Sequence, residues 1–151
     1  MADQSNLTNL PDLLKGLLSS QILAVLATQS GGEPYGSLVA FASTDDLKHL
    51  VFATTRATRK YNNLMRNPVV SLVIDNRTNR EEDFRRALAV TVMGNVGEVG
   101  SRDRDRYLGL YLAKHPKLVD FVAPSTCALL RVEVEVYYIV SYFQKVMDFR
   151  P

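Results

Sequence analysis

Leucines recur at positions 10, 13, 14, 17 and 18, the spacing of a helix that buries one face. Pro11 suits a first turn and Asn9 offers a cap, so a helix is predicted over residues 10–20. The run Ile22-Leu23-Ala24-Val25-Leu26-Ala27-Thr28 is short, apolar and stopped by Gly31-Gly32. It predicts a strand entering a hairpin. The chain returns over residues 35–43, with Ser37, Val39 and Phe41 on one face, and a third strand, 49–55, follows the polar break Thr44-Asp45-Asp46. Connections this short make the three an antiparallel meander.

The period then changes. Tyr61, Leu64 and Met65 fit a short helix that must stop at Asn67-Pro68, and a strand follows at once over 69–74. The polar stretch 75–86 reads as a loop with a turn of helix, and 87–99 as a strand with a bend or bulge at Gly94 and Gly97. Ser101 offers a cap for a helix to Lys114 that turns Tyr107, Leu108, Tyr111 and Leu112 inward. A last strand over 128–143 alternates strictly through Arg131-Val132-Glu133-Val134-Glu135-Val136, so one face there is wet and the other dry. About six sequential strands with inserted helices predict a mainly β, α+β fold. A six-stranded antiparallel barrel, closed or partly closed, fits best, because closure removes exposed edges.

Composition narrows the class. At 151 residues, 46% apolar and 23% charged, the chain suits one soluble domain over its whole length. A net charge of +2 is too small for a nucleic-acid reader. Met1 to Asn6 carry no basic start, and no stretch approaches the roughly 20 apolar residues of a membrane span. A cytoplasmic location is the expectation. Cys127 is the single cysteine and lies in an apolar run; with only His49 and His115 beside it in the sequence, a zinc site is excluded and a structural thiol expected.

The informative chemistry lies where the third strand meets the next helix. Thr54, Thr55 and Thr58 bring hydroxyls to a place where backbone N–H groups are free, and Arg56, Arg59 and Lys60 crowd it. Cations at a helix N-terminus oppose its dipole unless an anion sits among them. A phosphate would take bonds from the hydroxyls, an arginine fork and the lysine. A solvated basic turn capped by Thr58 explains the same residues, and the sequence leaves both readings open. Ser19, Ser20, Ser37 and Ser43 lack the setting of a hydrolase nucleophile. Glu133 and Glu135 read as a solvated face, and Asp75-Asn76-Arg77 as a polar turn or a binding edge. Tyr137, Tyr138, Tyr142 and Phe143 could line a pocket or a subunit contact, with core packing the commoner use of such a set.

The order of these features is more telling than any one. Gly32-Glu33-Pro34-Tyr35-Gly36-Ser37-Leu38-Val39, then Leu50-Val51-Phe52-Ala53-Thr54-Thr55, then Thr58-Arg59-Lys60-Tyr61-Asn62-Asn63-Leu64-Met65-Arg66-Asn67-Pro68-Val69-Val70-Ser71-Leu72 resembles the pyridoxamine 5′-phosphate oxidase-like flavin-binding split-barrel family. The likeness is strongest over residues 20–75 and looser beyond.

That resemblance implies a six-stranded antiparallel split barrel with accessory helices, a homodimer, and FMN at the subunit interface. It implies that Arg59 and Lys60 hold the FMN phosphate with Thr55 and Thr58. Ser37, Leu38 and Val39, with Phe52, Ala53 and Thr54, would follow the isoalloxazine and ribityl chain, largely through backbone groups. Asn76 and Arg77 would reach the flavin from the partner subunit. The implied activity is an FMN-dependent oxidoreductase acting on an unidentified small molecule; the protein positions the flavin, and no side chain is assigned as acid or base. The chain lacks tryptophan and the basic C-terminal signature of true pyridoxamine phosphate oxidases, which counts against that substrate. A flavin-binding module without turnover, or a split barrel using heme or a deazaflavin, are the alternatives.

Overall fold

A computed structural model describes residues 9–141 and 145–151. Tyr142 and Phe143, and the opening Met1 to Asn6, lie outside the described residues. The elements run α1 (Leu10–Ser20), β1 (Leu23–Ser30), β2 (Glu33–Ser43), β3 (His49–Thr55), α2 (Arg59–Arg66), β4 (Val69–Asp75) and α3 (Asp83–Arg86). Then come β5 (Leu88–Glu98), α4 (Arg104–Lys114), α5 (Val119–Val122), β6 (Cys127–Ser141) and β7 (Lys145–Phe149).

All strand pairs are antiparallel. The sheet order is β3-β2-β1-β4-β5-β6, and β3 pairs with β6 to close a six-stranded barrel. The expected mainly β barrel with accessory helices is therefore the observed fold. β7 was not foreseen: it folds back on β6 as a hairpin, with Tyr137 opposite Phe149, and half-buries Met147 and Phe149 against the barrel core.

Two cores follow from the alternation of the strands. The barrel interior takes Leu26, Phe41, Leu50, Phe52, Leu72, Val90 and Leu130, and α1 packs Leu10, Leu14, Leu17 and Leu18 into it. The outer face of β2, β3 and β6 supplies Ala42, Val51, Ala53 and Leu129, which Tyr107 and Tyr111 of α4 and Val122 of α5 cover. Adjacent residues of β3 thus serve different cores.

The alternation in β6 does not run unbroken. Gly94 pairs with Val134 while Met93 pairs with Val136, which leaves Glu135 as an extra residue and shifts the register. Before this bulge Ala128, Leu130 and Val132 face the barrel core; after it Tyr137 and Ile139 do. One inserted residue exchanges the faces. Gly94 is required at the close approach, since a Cβ there would lie 2.8 Å from Val132 Cγ1 and press on the Glu133 carbonyl. Gly97, in contrast, is regularly paired with Arg131.

Two expected caps are absent. Asn9 makes no side-chain bond at the start of α1, and α4 begins at Arg104 after Asp103, so Ser101 lies outside it. Packing of Leu10 through Leu18 and of Tyr107 and Tyr111 fixes these helices instead. Cys127 is buried, and burial pushes its thiol up from the ordinary value, as a structural thiol should show.

Candidate functional site

At the end of β3 the chain leaves the barrel and turns into α2. Thr58 is the N-cap: its hydroxyl accepts from Tyr61 N–H at 3.3 Å and donates to Thr55 O at 2.8 Å. Thr54 Oγ1 lies 3.2 Å from the same hydroxyl. With Thr58's proton committed to Thr55 O, Thr54 is the donor of that pair. Thr55 has no side-chain partner among the described residues, and the first-turn N–H groups of Arg59 and Lys60 have no partner within the helix.

This junction forms one end of a groove of about 320 Å³ on the outer side of the barrel. Of the residues singled out from the sequence, Leu38, Val39, Ala53, Thr54, Thr55, Thr58 and Lys60 border it. Ala40, Tyr111, which the sequence marked only as an inward-facing helix residue, and Leu118 and Phe121, which it did not mark, complete its walls. The only sequence signal for the latter was the apolar spacing of Leu118, Phe121 and Val122 after Pro116, which is one turn of helix and too short to stand out.

The three cations of the junction do different things. Arg56 is committed mainly to the fold: its guanidinium holds Glu98 with both terminal nitrogens, reaches Tyr61 Oη at 2.9 Å and donates from Nε to Ser125 O at 3.1 Å. The Arg56 backbone N–H donates to Thr126 O. This bond network raises the Arg56 pKa, and the guanidinium holds the Glu98 carboxyl below its usual range. Arg59 leans over the Tyr35 ring, 5.1 Å from its centroid, and borders a separate small depression with Ser30, Glu33 and Asn63. Lys60 is the cation that borders the groove.

The remaining marked residues are elsewhere. Phe52 packs in the barrel interior, and Ser37, in step with Val39 and Phe41, has a buried Oγ with no hydrogen-bond partner among the described residues. Asn76 Oδ1 accepts from Leu88 N–H at 2.7 Å, and Arg77 pairs with Asp75 at 3.3 Å. They close the β4–β5 connection and do not border the Lys60 groove. Arg77 instead borders a wider, more open cavity of about 740 Å³ beside Val73 and Phe84. That cavity is walled by Val73 and Ala89 of the sheet and by the β4–β5 connection with Arg80, Glu81 and Asp83, whereas the smaller groove gathers the hydroxyls and the lysine.

Neither histidine enters the groove. His115 is buried with Nε2 2.7 Å from Phe41 O. His49 stands edge-on to Tyr107, and burial with the nearby Arg131 charge lowers its pKa. No group of three metal-ligating side chains occurs among the described residues, and no described helix is long and apolar enough to cross a membrane.

The chain is 32% identical over 133 residues to the chloroplastic non-canonical heme oxygenase HOZ of Arabidopsis thaliana; the match covers 85% of this chain and 39% of that protein. Among solved structures, the heme binding protein from Mycobacterium smegmatis superposes with a TM-score of 0.82 at 15% identity, over 93% of this chain and 57% of that one. A FAD-binding protein from Mesorhizobium loti superposes with a TM-score of 0.64 at 22% identity, over 83% and 89% of the two chains. Such low identities establish the shared fold alone. The family of pyridoxamine 5′-phosphate oxidase matches residues 10–140, nearly the whole barrel with its groove, and the chain belongs to this split-barrel family.

Proposed function

We propose that the chain holds a planar redox cofactor in the Lys60 groove, with the anionic group of the cofactor on Lys60, Thr55 and the first N–H groups of α2. One observation carries this: the groove joins a hydroxyl- and lysine-lined end to walls built from Leu38, Ala40, Ala53, Leu118 and Phe121. An anion is favoured at the first and an apolar ring against the second.

Heme is the cofactor that the comparisons favour, through the relative named a heme oxygenase and the neighbour named a heme binding protein. Lys60 and Thr55 suit a propionate, and the apolar walls suit the porphyrin face. A heme would supply iron chemistry on oxygen, and oxidation of the heme itself is the enzymatic form of this reading.

FMN is the second reading, and a specific observation favours it. The groove offers no imidazole to an iron, because His115 is turned to Phe41 O and His49 to Tyr107. A flavin phosphate needs only the hydroxyls, the N–H groups and the cation already there. Under this reading the chain is an oxidoreductase on a small molecule or a flavin module, and turnover of NAD(P)H by the FMN-loaded protein separates the two.

A second copy of the chain is part of the proposal. Leu38 of β2 pairs with Val25 of β1, and Val25 with Val73 of β4, which lays an apolar row across the outer face of three strands. Leu38 and Leu23 are 65% and 51% exposed, and Leu38 also borders the groove. A partner covering this row would bring its own Asn76 and Arg77 region toward the cofactor. Titration of the purified protein with hemin and, separately, with FMN tests the reading. A saturable Soret shift supports heme, quenched flavin fluorescence supports FMN, and binding of neither overturns both.

A further inference from the structure

The groove contains one polar group that neither the fold nor the anion site uses. Tyr111, on α4, is 1% exposed and borders the groove. Its ring is wedged against the outer face of the barrel with Ala42, Val51 and Ala53. The His115 ring lies 5.1 Å away between centroids, and His115 is itself fixed by its bond to Phe41 O. The phenol is therefore rigidly placed.

Its hydroxyl, however, has no hydrogen-bond partner among the described residues. Ser37 Oγ is the one unpartnered side-chain N or O atom sealed from solvent among them; the Tyr111 hydroxyl is unpartnered without being sealed, and Tyr111 is one of the residues that line this groove. Packing alone asks nothing of that oxygen, since a phenylalanine would fill the same volume. Tyr137 makes the contrast: its hydroxyl, equally deep, donates to Leu47 O at 2.7 Å. Buried polar groups are nearly always paired, so an unpaired hydroxyl on a rigid residue that lines a groove points to a ligand.

We propose that Tyr111 is a ligand-binding residue whose hydroxyl donates a hydrogen bond to an acceptor oxygen on the ring system of the molecule held by Lys60. The inference rests on the cofactor reading and adds a second polar contact, from the α4 wall, to the one at the α2 wall. Burial raises the Tyr111 pKa to about 12, so at neutral pH the group is a donor and not a phenolate. The fitting ligand carries an anionic group at one end and a carbonyl or carboxylate oxygen on its ring system. A flavin offers the first kind of acceptor and heme the second.

The test compares Tyr111→Phe and Lys60→Ala with the wild type in titrations with hemin and with FMN. Tyr111→Phe is expected to unfold at the wild-type midpoint, because the hydroxyl is bonded to nothing described in the fold. It is expected to weaken binding of the accepted probe about tenfold, or about 1.4 kcal/mol, and to shift that probe's bound absorption band. A folded Tyr111→Phe with wild-type affinity and spectrum, beside a Lys60→Ala that has lost binding, overturns the Tyr111 assignment and leaves the groove reading standing. A wild type that binds neither probe overturns the groove reading, and the Tyr111 assignment falls with it.

Discussion

Arg56 closes both terminal nitrogens of its guanidinium on the carboxylate of Glu98. The pair joins the loop before α2 to the end of β5, 42 residues away, and Tyr61 and Ser125 add bonds to the same guanidinium. The turn that carries Thr55, Thr58 and Lys60 is thus clamped from behind by a cation that takes no part in the groove itself.

Cutting this clamp should loosen the ligand end without removing a ligand contact. Glu98→Gln is expected to keep the barrel but weaken binding of the accepted cofactor, with faster proteolytic cleavage near residue 57. The sign of the pH effect follows from the lowered Glu98 pKa. The clamp contributes fully above the unfolded carboxyl value and is lost only as pH falls through the lower folded value. The clamp's share of cofactor retention in the wild type should therefore persist into acid beyond the ordinary glutamate range, and in Glu98→Gln that share should be missing, leaving only the acid loss due to the cofactor's own anion.

Thr58 makes a different prediction, because its hydroxyl serves the turn. Thr58→Ala removes the acceptor for Tyr61 N–H and the bond to Thr55 O, and should cost about 1 kcal/mol of stability in denaturant unfolding. Thr58→Ser keeps the cap and should restore most of it. Thr55→Ala, whose hydroxyl has no partner among the described residues, should leave stability unchanged and weaken cofactor binding. The opposite pattern between positions 55 and 58 would exchange their roles.

The bulge in β6 can be probed at Gly94. An alanine methyl there must displace Val132 Cγ1, 2.8 Å away, and the Glu133 backbone. Overpacking of this kind costs about 1–3 kcal/mol, and Gly94→Ala should lose that much in urea unfolding. Gly97→Ala, with nothing within 4 Å of its Cβ, is the matched control and should change little.

Lys114 predicts an unusual alkaline behaviour. Its ammonium donates to Leu18 O at 2.7 Å and lies 3.8 Å from the centroid of the Phe41 ring, and burial lowers its pKa to about 8 from 10.5. Between these values the unfolded chain holds the extra proton, so this group makes stability rise with pH across that window. Burial raises the pKa values of Cys127, Tyr111 and Tyr137 and acts in the opposite sense, so the test is a difference: the wild-type urea midpoint should rise relative to that of Lys114→Met between about pH 8 and 10. A difference that stays flat would show Lys114 fully charged in the fold.

Much of the fold was legible because burial imposes periods. Four of the five leucines of α1 and the alternation of Ser37, Val39 and Phe41 predicted their faces directly, Leu13 alone being left exposed, and Gly94 announced its bulge. What remained hidden depends on chain segments meeting across long separations. Arg56 looked like one of three anion-binding cations, and only the fold brings Glu98 to it. Leu38, Ala53, Thr55 and Lys60 were marked in advance, while the opposite wall of the groove, Tyr111, Leu118 and Phe121, was not marked for the site because its residues look like ordinary core. β7 was missed because five residues, Lys145 to Phe149, are a weak alternating signal beside a basic and acidic end.

The seam between β3 and β6 sets a schedule for making the protein. His49 pairs with Glu133 and Thr55 with Cys127, so the strand that leads into the α2 turn waits for a partner more than seventy residues downstream. During synthesis Leu50 and Phe52 are on hand long before Leu130 and Val132 emerge to cover them. Closure therefore comes after most of the chain has left the ribosome, and a long-range topology of this sort folds slowly. Until then the nascent meander β1–β2–β3 has an open edge at β3, and the groove, which needs Tyr111 and Phe121 as well, is completed among the last parts of the molecule.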